Sequence, residues 1–358
     1  STGAECGEIA KAAGGKANVC NISGSNPIER FTGPQIRKFY KDSPGDYAAT
    51  ARIHLVSSFL ASVIAGSDVG IDTGDGAGMN LMDLTTTHWS TTLLQATAPG
   101  LGEKLPPVVK GGTRIGEVAG YFVKKYGFRT RVPVIAWSGD NPCSLVGMGA
   151  TEPGTAVISL GTSDTFFAAM NRPVTDPNGY GHVFGNPANG FMCLMCFKNG
   201  SLAREQVRDK FAMNWKQFEN AILKDTLTGN SGNILFPYFE PEITPLILDP
   251  EVKLRGSERF ENWQDAAATV RAIVEAQAMS MKFHSSWISK TPTTIRITGG
   301  ASRDDGIARV LADVFDAEIQ RLLVSNSAGL GAALMAAQGV TKTGWRDLHD
   351  AFSVADPP

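Results

Sequence analysis

Two short stretches carry the residue types that activating an alcohol beside a phosphate requires. Gly139-Asp140-Asn141-Pro142 places one carboxylate at the end of the apolar run Val132-Pro133-Val134-Ile135-Ala136-Trp137. Ser159-Leu160-Gly161-Thr162-Ser163-Asp164-Thr165 ends a second apolar run, 155–160, with a glycine and two hydroxyls. A carboxylate at one strand end can take a proton, and a small turn rich in NH and OH donors can hold phosphate oxygens. Thr298-Gly299-Gly300-Ala301-Ser302 ends a further strand ahead of a helix, where backbone NH groups favour an anion or a nucleotide edge. Together these suit phosphoryl transfer to a small molecule. Each also has a plain alternative: a hairpin turn at Gly161, a strand-to-helix turn at Gly299, and an N-cap at Asp140 for a helix opening at Pro142.

Other chemistries find little support. No Gly-x-x-x-x-Gly-Lys-Ser/Thr loop, protein-kinase signature or Gly-x-Ser-x-Gly elbow occurs in the sequence. Gly74-Asp75-Gly76-Ala77-Gly78 resembles part of a dinucleotide fingerprint, but the spacing is wrong and no apolar strand leads into it, so it reads as a turn. Cys193-Leu194-Met195-Cys196 has metal-like or redox spacing without a second pair; on a strand the two thiols point to opposite faces and read as buried. His54 and His88 fall within helical patterns, and His182 lies in a glycine-rich loop with no partner evident.

The elements that must position these residues follow from periodicity. Helical spacing covers 34–65, 80–98 and 116–126, with 70–78 turn-rich between the first two. Strand 132–138, helix 142–150 and strand 155–160 follow, and 166–170 returns as the second arm of a β-hairpin. A strand at 191–197, helices at 201–211, 215–224 and 265–288, strand 294–298 and helix 306–315 come next. The last clear helix begins near Ala328 and contains Gly329 and Gly331. A helix-dominated part gives way to a second α/β core near residue 150, so domains of 1–150 and 151–358 are expected.

The chain has 358 residues, about two domains' worth, with a net charge of −2 and 5 cysteines. The mixed charges give no electrostatic footprint for nucleic acid or an acidic membrane. No apolar run reaches the roughly 18 residues of a membrane span. The odd cysteine count suits reduced thiols and a cytoplasmic location.

Taken together, Gly139-Asp140-Asn141, Ser159-Leu160-Gly161-Thr162-Ser163 and Thr298-Gly299-Gly300-Ala301-Ser302 resemble the carbohydrate kinases of the FGGY family. Glu29-Arg30-Phe31-Thr32-Gly33, Leu55-Val56-Ser57-Ser58-Phe59 and Asp75-Gly76-Ala77-Gly78-Met79-Asn80-Leu81 extend the likeness, as do Cys196-Phe197-Lys198-Asn199-Gly200-Ser201 and Leu311-Ala312-Asp313-Val314-Phe315-Asp316-Ala317. It runs along nearly the whole chain and is strongest toward the eukaryotic branch that acts on D-xylulose. The resemblance implies an α/β fold of two actin-like, ribonuclease-H-like domains, with ATP, Mg²⁺ and a ketopentose as ligands. By the same resemblance Asp140 is the catalytic base and a sugar contact, and Asn141 a second sugar contact. Gly161, Thr162 and Ser163 form a phosphate motif; Gly299, Gly300 and Ala301 form the adenosine turn. Trp215 stands near the nucleotide or packs in the core. Asp304 replaces a nucleotide-contacting asparagine, keeping an acceptor but losing two donors.

Members of the family also carry an Asp-containing phosphate motif on their first strands, with a sugar-binding histidine and aspartate from the same lobe. None of these occurs here, so the first domain is expected to be incomplete, with apolar faces that self-association or a partner chain would cover. Two alternatives to a D-xylulose kinase stay open: a non-catalytic nucleotide-binding homologue, and a kinase for ribulose, glycerol or gluconate.

Overall fold

The computed structural model describes residues 1–322 and 326–355. The largest sheet is mixed and runs, edge to edge, Glu318–Arg321, Thr294–Thr298, Thr155–Leu160, Asp164–Met170, Phe191–Phe197, His182–Gly185. Thr155–Leu160 pairs in parallel with Thr294–Thr298 and antiparallel with Asp164–Met170. The 155–160/164–170 hairpin is therefore present, with Leu160 opposite Asp164 and only Gly161, Thr162 and Ser163 in its turn. Strand 155–160 is buried at Ala156, Val157, Ile158 and Leu160, a near-continuous apolar run of the kind found where both sheet faces are covered.

The chain packs as two compact units. One comprises Ser1–Thr151, Ala169–Cys193 and Val324–Val354; the other Glu152–Ala168, Leu194–Leu323 and Ala355–Pro358. The core of the first gathers Ile9, Val19, Ile36, Ile71, Leu81 and Leu93. In the second, Phe166 stacks on Phe315 at 6.0 Å, and Phe218, Phe260 and Ile273 are fully buried. Each such side chain contributes about 1.5–3 kcal/mol relative to exposure. In the first unit, helix Val56–Ala65 leaves Val56, Phe59, Leu60 and Val63 exposed, an uncovered apolar face.

Several local readings change. Residues 80–98 are not one helix. Asp83 Oδ1 accepts from the backbone NH groups of Thr85 and Thr86, folding a tight turn between the short strands Met82–Asp83 and His88–Trp89. The helix begins only at Thr91, capped by Ser90, and runs to Thr97. Thus Trp89 sits on a strand and His88 on its exposed side. The glycine-rich stretch Thr73–Gly78 is helical, because Asp72 caps it by accepting from Asp75 N at 2.9 Å. His54 precedes its helix and approaches Ser58 Oγ at 3.1 Å. His182 is on a buried strand, 3.2 Å from Ser25 Oγ and edge-on to Phe31. Burial, aided by Arg30, pushes its pKa down to about 3, so it is neutral. A further helix, Trp345–Phe352, follows Ser327–Thr341.

Candidate functional site

The candidate residues divide between the two units. In the second, strand Thr294–Thr298 ends at Gly299, which adopts φ 92°; a Cβ there would lie 2.4 Å from the Leu160 carbonyl oxygen. Only glycine fits so close an approach, which brings the Gly299 turn beside the end of the strand carrying Gly161, Thr162 and Ser163. Gly300–Arg303 forms a 3₁₀ turn, and Asp304 then caps helix Asp305–Phe315 by accepting from Ile307 N at 2.9 Å. Burial raises the Asp304 pKa, opposed by its hydrogen bonds to the backbone of Ile307 and Gly306. Arg321 pins this turn, its Nε donating to Ser302 O at 2.6 Å and its Nη2 to Asp305 Oδ1 at 2.9 Å.

Trp215 is the first residue of helix Trp215–Leu223, which opens with a capping box between Asn214 and Gln217. Phe218 takes the core position, so Trp215 remains 43% exposed, with Arg208 4.4 Å above its ring. Trp215, Gly300, Ala301 and Asp304 line one cavity of about 480 Å³, with Ser201, Glu205, Lys216, Glu219, Arg303 and Ile307 completing it. An aromatic face, a glycine turn and a few polar groups in a cavity of that size suit a purine nucleoside. Ser201 links the cavity to the Gly161-Thr162-Ser163 turn, since its NH donates to Gly161 O at 2.9 Å. Sequence reasoning named Asp304 but missed Glu205, Lys216 and Glu219, which helix faces with no motif of their own contribute.

Asp140 and Asn141 belong to the first unit. Asp140 is not an N-cap: Gly139 holds that place and Asp140 is the first residue of helix Asp140–Gly147. A carboxylate in a first turn is favoured by the helix dipole. Its Oδ1 accepts from Asn141 N at 2.7 Å and Asn141 Nδ2 at 3.1 Å, and the side chain is exposed. The helix is set by backbone-to-backbone packing on Ser327–Thr341. A Cβ on Gly147 would lie 1.9 Å from Ser327 O, and one on Gly331 1.7 Å from Cys143 O.

Asp75, quoted above only as part of a glycine-rich block, stands near Asp140, and Asp72, singled out by no motif, lies beside Asp75. Asp75 Oδ1 lies 2.5 Å from where a Cβ on Gly139 would stand, and Ser57 Oγ donates to Asp75 Oδ2. Asp72 is fully buried, and neither its Oδ2 nor Ser138 Oγ has a hydrogen-bond partner. Burial, then the charge of Asp75, pushes the Asp72 pKa up to about 7. Burial and the same acids raise the Cys143 thiol to about 12. Among the described residues, no group of three or more His, Cys, Asp or Glu side chains could hold a metal ion. Cys193 is buried and Cys196 half-buried. Among the described residues, no helix is long and apolar enough to cross a membrane.

The architecture is that of a two-domain sugar kinase: the fold matches the crystal structure of a xylulose kinase from Rhodospirillum rubrum with a TM-score of 0.86 at 20% identity, covering 99% of this chain and 72% of that one. Residues 1–147 match the N-terminal domain, and residues 156–340 the C-terminal domain, of the FGGY family of carbohydrate kinases. The chain belongs to that family. It is 41% identical to a xylulose kinase of Mus musculus over 95% of its own length and 62% of that protein's, and 40% identical to xylulose kinase 2 of Arabidopsis thaliana over 95% and 63%. The chain thus spans less than two thirds of the length of these curated relatives.

Proposed function

We propose that this chain carries the chemistry of an ATP-dependent kinase of D-xylulose, forming D-xylulose 5-phosphate. The observation that carries the reading is the cavity where Trp215, Gly300 and Ala301 meet beside the Gly161-Thr162-Ser163 turn. In this reading adenosine lies against Trp215 and the Gly299-Gly300-Ala301 turn. The backbone and hydroxyls of Gly161, Thr162 and Ser163 take phosphate oxygens. Asp304, occupied by its capping bond, keeps one carboxylate oxygen for the nucleotide. Asp140, exposed at its helix start, accepts the proton of the attacking sugar hydroxyl, and Asn141 contacts the sugar. Mg²⁺, when bound, would neutralise phosphate charge beside that turn.

Asp140→Asn is expected to lower sugar phosphorylation by about 10²–10⁴-fold while leaving ATP affinity within about twofold. Undiminished turnover would remove Asp140 from the role of base. On these 358 residues, a coupled assay of ADP release with and without D-xylulose tests the activity itself. Nucleotide binding without sugar-dependent release would replace the reading with that of a nucleotide-binding homologue. Faster turnover with ribulose, glycerol or gluconate would reassign the substrate.

A further inference from the structure

The turn that is read as the phosphate site rests on a buried polar network that its motif does not include. Asp164, the residue after Ser163, has a side chain 0% exposed, and Arg204, 1% exposed, grips it with two bonds of 2.8 and 3.1 Å. The guanidinium continues to Gln277 Oε1 at 2.7 Å and Ser201 Oγ at 3.0 Å, leaving only Nε without a partner. Gln277 Nε2 in turn donates to the carbonyls of Asn199 and Gly200 at 2.7 and 3.1 Å. At Gly200 a Cβ would stand 2.8 Å from both Thr162 O and Asp164 N. The turn is thus pressed against segment 199–201 on one side and anchored through Asp164 on the other.

A buried ion pair of this kind adds little net stability over apolar residues of equal volume, since desolvation offsets the attraction. Its fork geometry, by contrast, restricts position strongly. We infer that Arg204, through Asp164 and Gln277, is a positioning residue that holds Gly161, Thr162 and Ser163 in the conformation that receives nucleotide phosphates. Arg204 touches no nucleotide itself, and the inference rests on reading that turn as the phosphate site. The adenosine end, held by Gly299 packing and Arg321, meets the network only at Ser201.

The test is calorimetric titration of the whole 358-residue chain with ATP and, separately, with adenosine. Arg204→Lys keeps the charge but loses the fork; Asp164→Asn keeps the shape but loses the charge. Each is expected to weaken ATP binding by about tenfold or more while changing adenosine affinity by less than about twofold. Gln277→Met leaves the Asp164–Arg204 pair but removes one bond to the guanidinium and the two to the 199–200 carbonyls, and should weaken ATP by about threefold with adenosine unchanged; if the charged variants do not fold, it decides alone. Equal losses for both ligands, or no loss for either, would overturn the positioning role. A parent chain that binds ATP no more tightly than adenosine would overturn the phosphate-site reading itself, and the inference with it.

Discussion

Asp72 and Asp164 are both aspartates with no exposed surface, one in each unit, and they are kept in opposite ways. Asp164 receives a bidentate guanidinium, so although burial raises its pKa, Arg204 works directly against that shift. Asp72 receives no cation. Its Oδ1 caps a helix, its Oδ2 is unpaired, and its neighbour Asp75 is another acid. The difference shows that burial alone does not set the state of a carboxylate. The charge of the nearest partner decides whether burial is opposed, as at Asp164, or reinforced, as at Asp72.

The sharpest way to break this comparison is to make Asp164 resemble Asp72. Arg204→Met leaves a buried carboxylate without its cation and should cost about 3–5 kcal/mol, read by chemical denaturation at pH 7. A loss below about 1 kcal/mol would mean that Asp164 does not depend on its partner. The converse experiment works on Asp72. Its pKa in the fold is raised from 3.8 to about 7, so between those values the folded chain holds a proton that the unfolded chain has released. Stability from this group is therefore complete below about pH 4 and declines as pH rises to about 7, by up to roughly 4 kcal/mol. Asp72→Asn keeps the helix cap and should flatten that decline, making the variant the more stable chain at pH 8. A stability difference that stays constant from pH 4 to pH 8 would contradict the assignment.

A smaller effect concerns Asp75, which lies between the two extremes because a neutral hydroxyl holds it. Ser57→Ala should cost about 1–2 kcal/mol at pH 7, less than Arg204→Met, since the lost partner carries no charge. Equal losses from the two substitutions would erase the distinction between hydroxyl and guanidinium support.

Much of the second unit was legible residue by residue. Strand 155–160 is an apolar run and strand 294–298 alternates buried isoleucines with polar residues; glycine turns close both, and their ends lie where the residues indicate. Such patterns are local in sequence, so the residues alone report them. The first unit was harder to read. Thr73–Gly78 contains three glycines, which disfavour a helix, yet the Asp72 cap and the packing of Gly74 against Pro142 and Ser138 make it helical. The single helix expected at 80–98 failed because a side-chain turn at Asp83 competes with helical hydrogen bonds. Gly331 stood out in the sequence as a small residue in a helix. Its reason, contact with the Cys143 carbonyl, spans a separation that no local pattern carries.

The order of residues alone determined the pieces of chemistry: Asp140 after one apolar run, Gly161-Thr162-Ser163 after another, and Gly299-Gly300-Ala301 before a helix. Each is a neighbour relation, which sequence preserves. Tertiary structure alone decided what supports them. Arg204 reaches Asp164 across 40 positions and Gln277 across 73, and Asp75 stands against Gly139 from a distant helix. Burial and electrostatic pairing depend on distance in space, and only the folded chain brings these groups close enough for either to act.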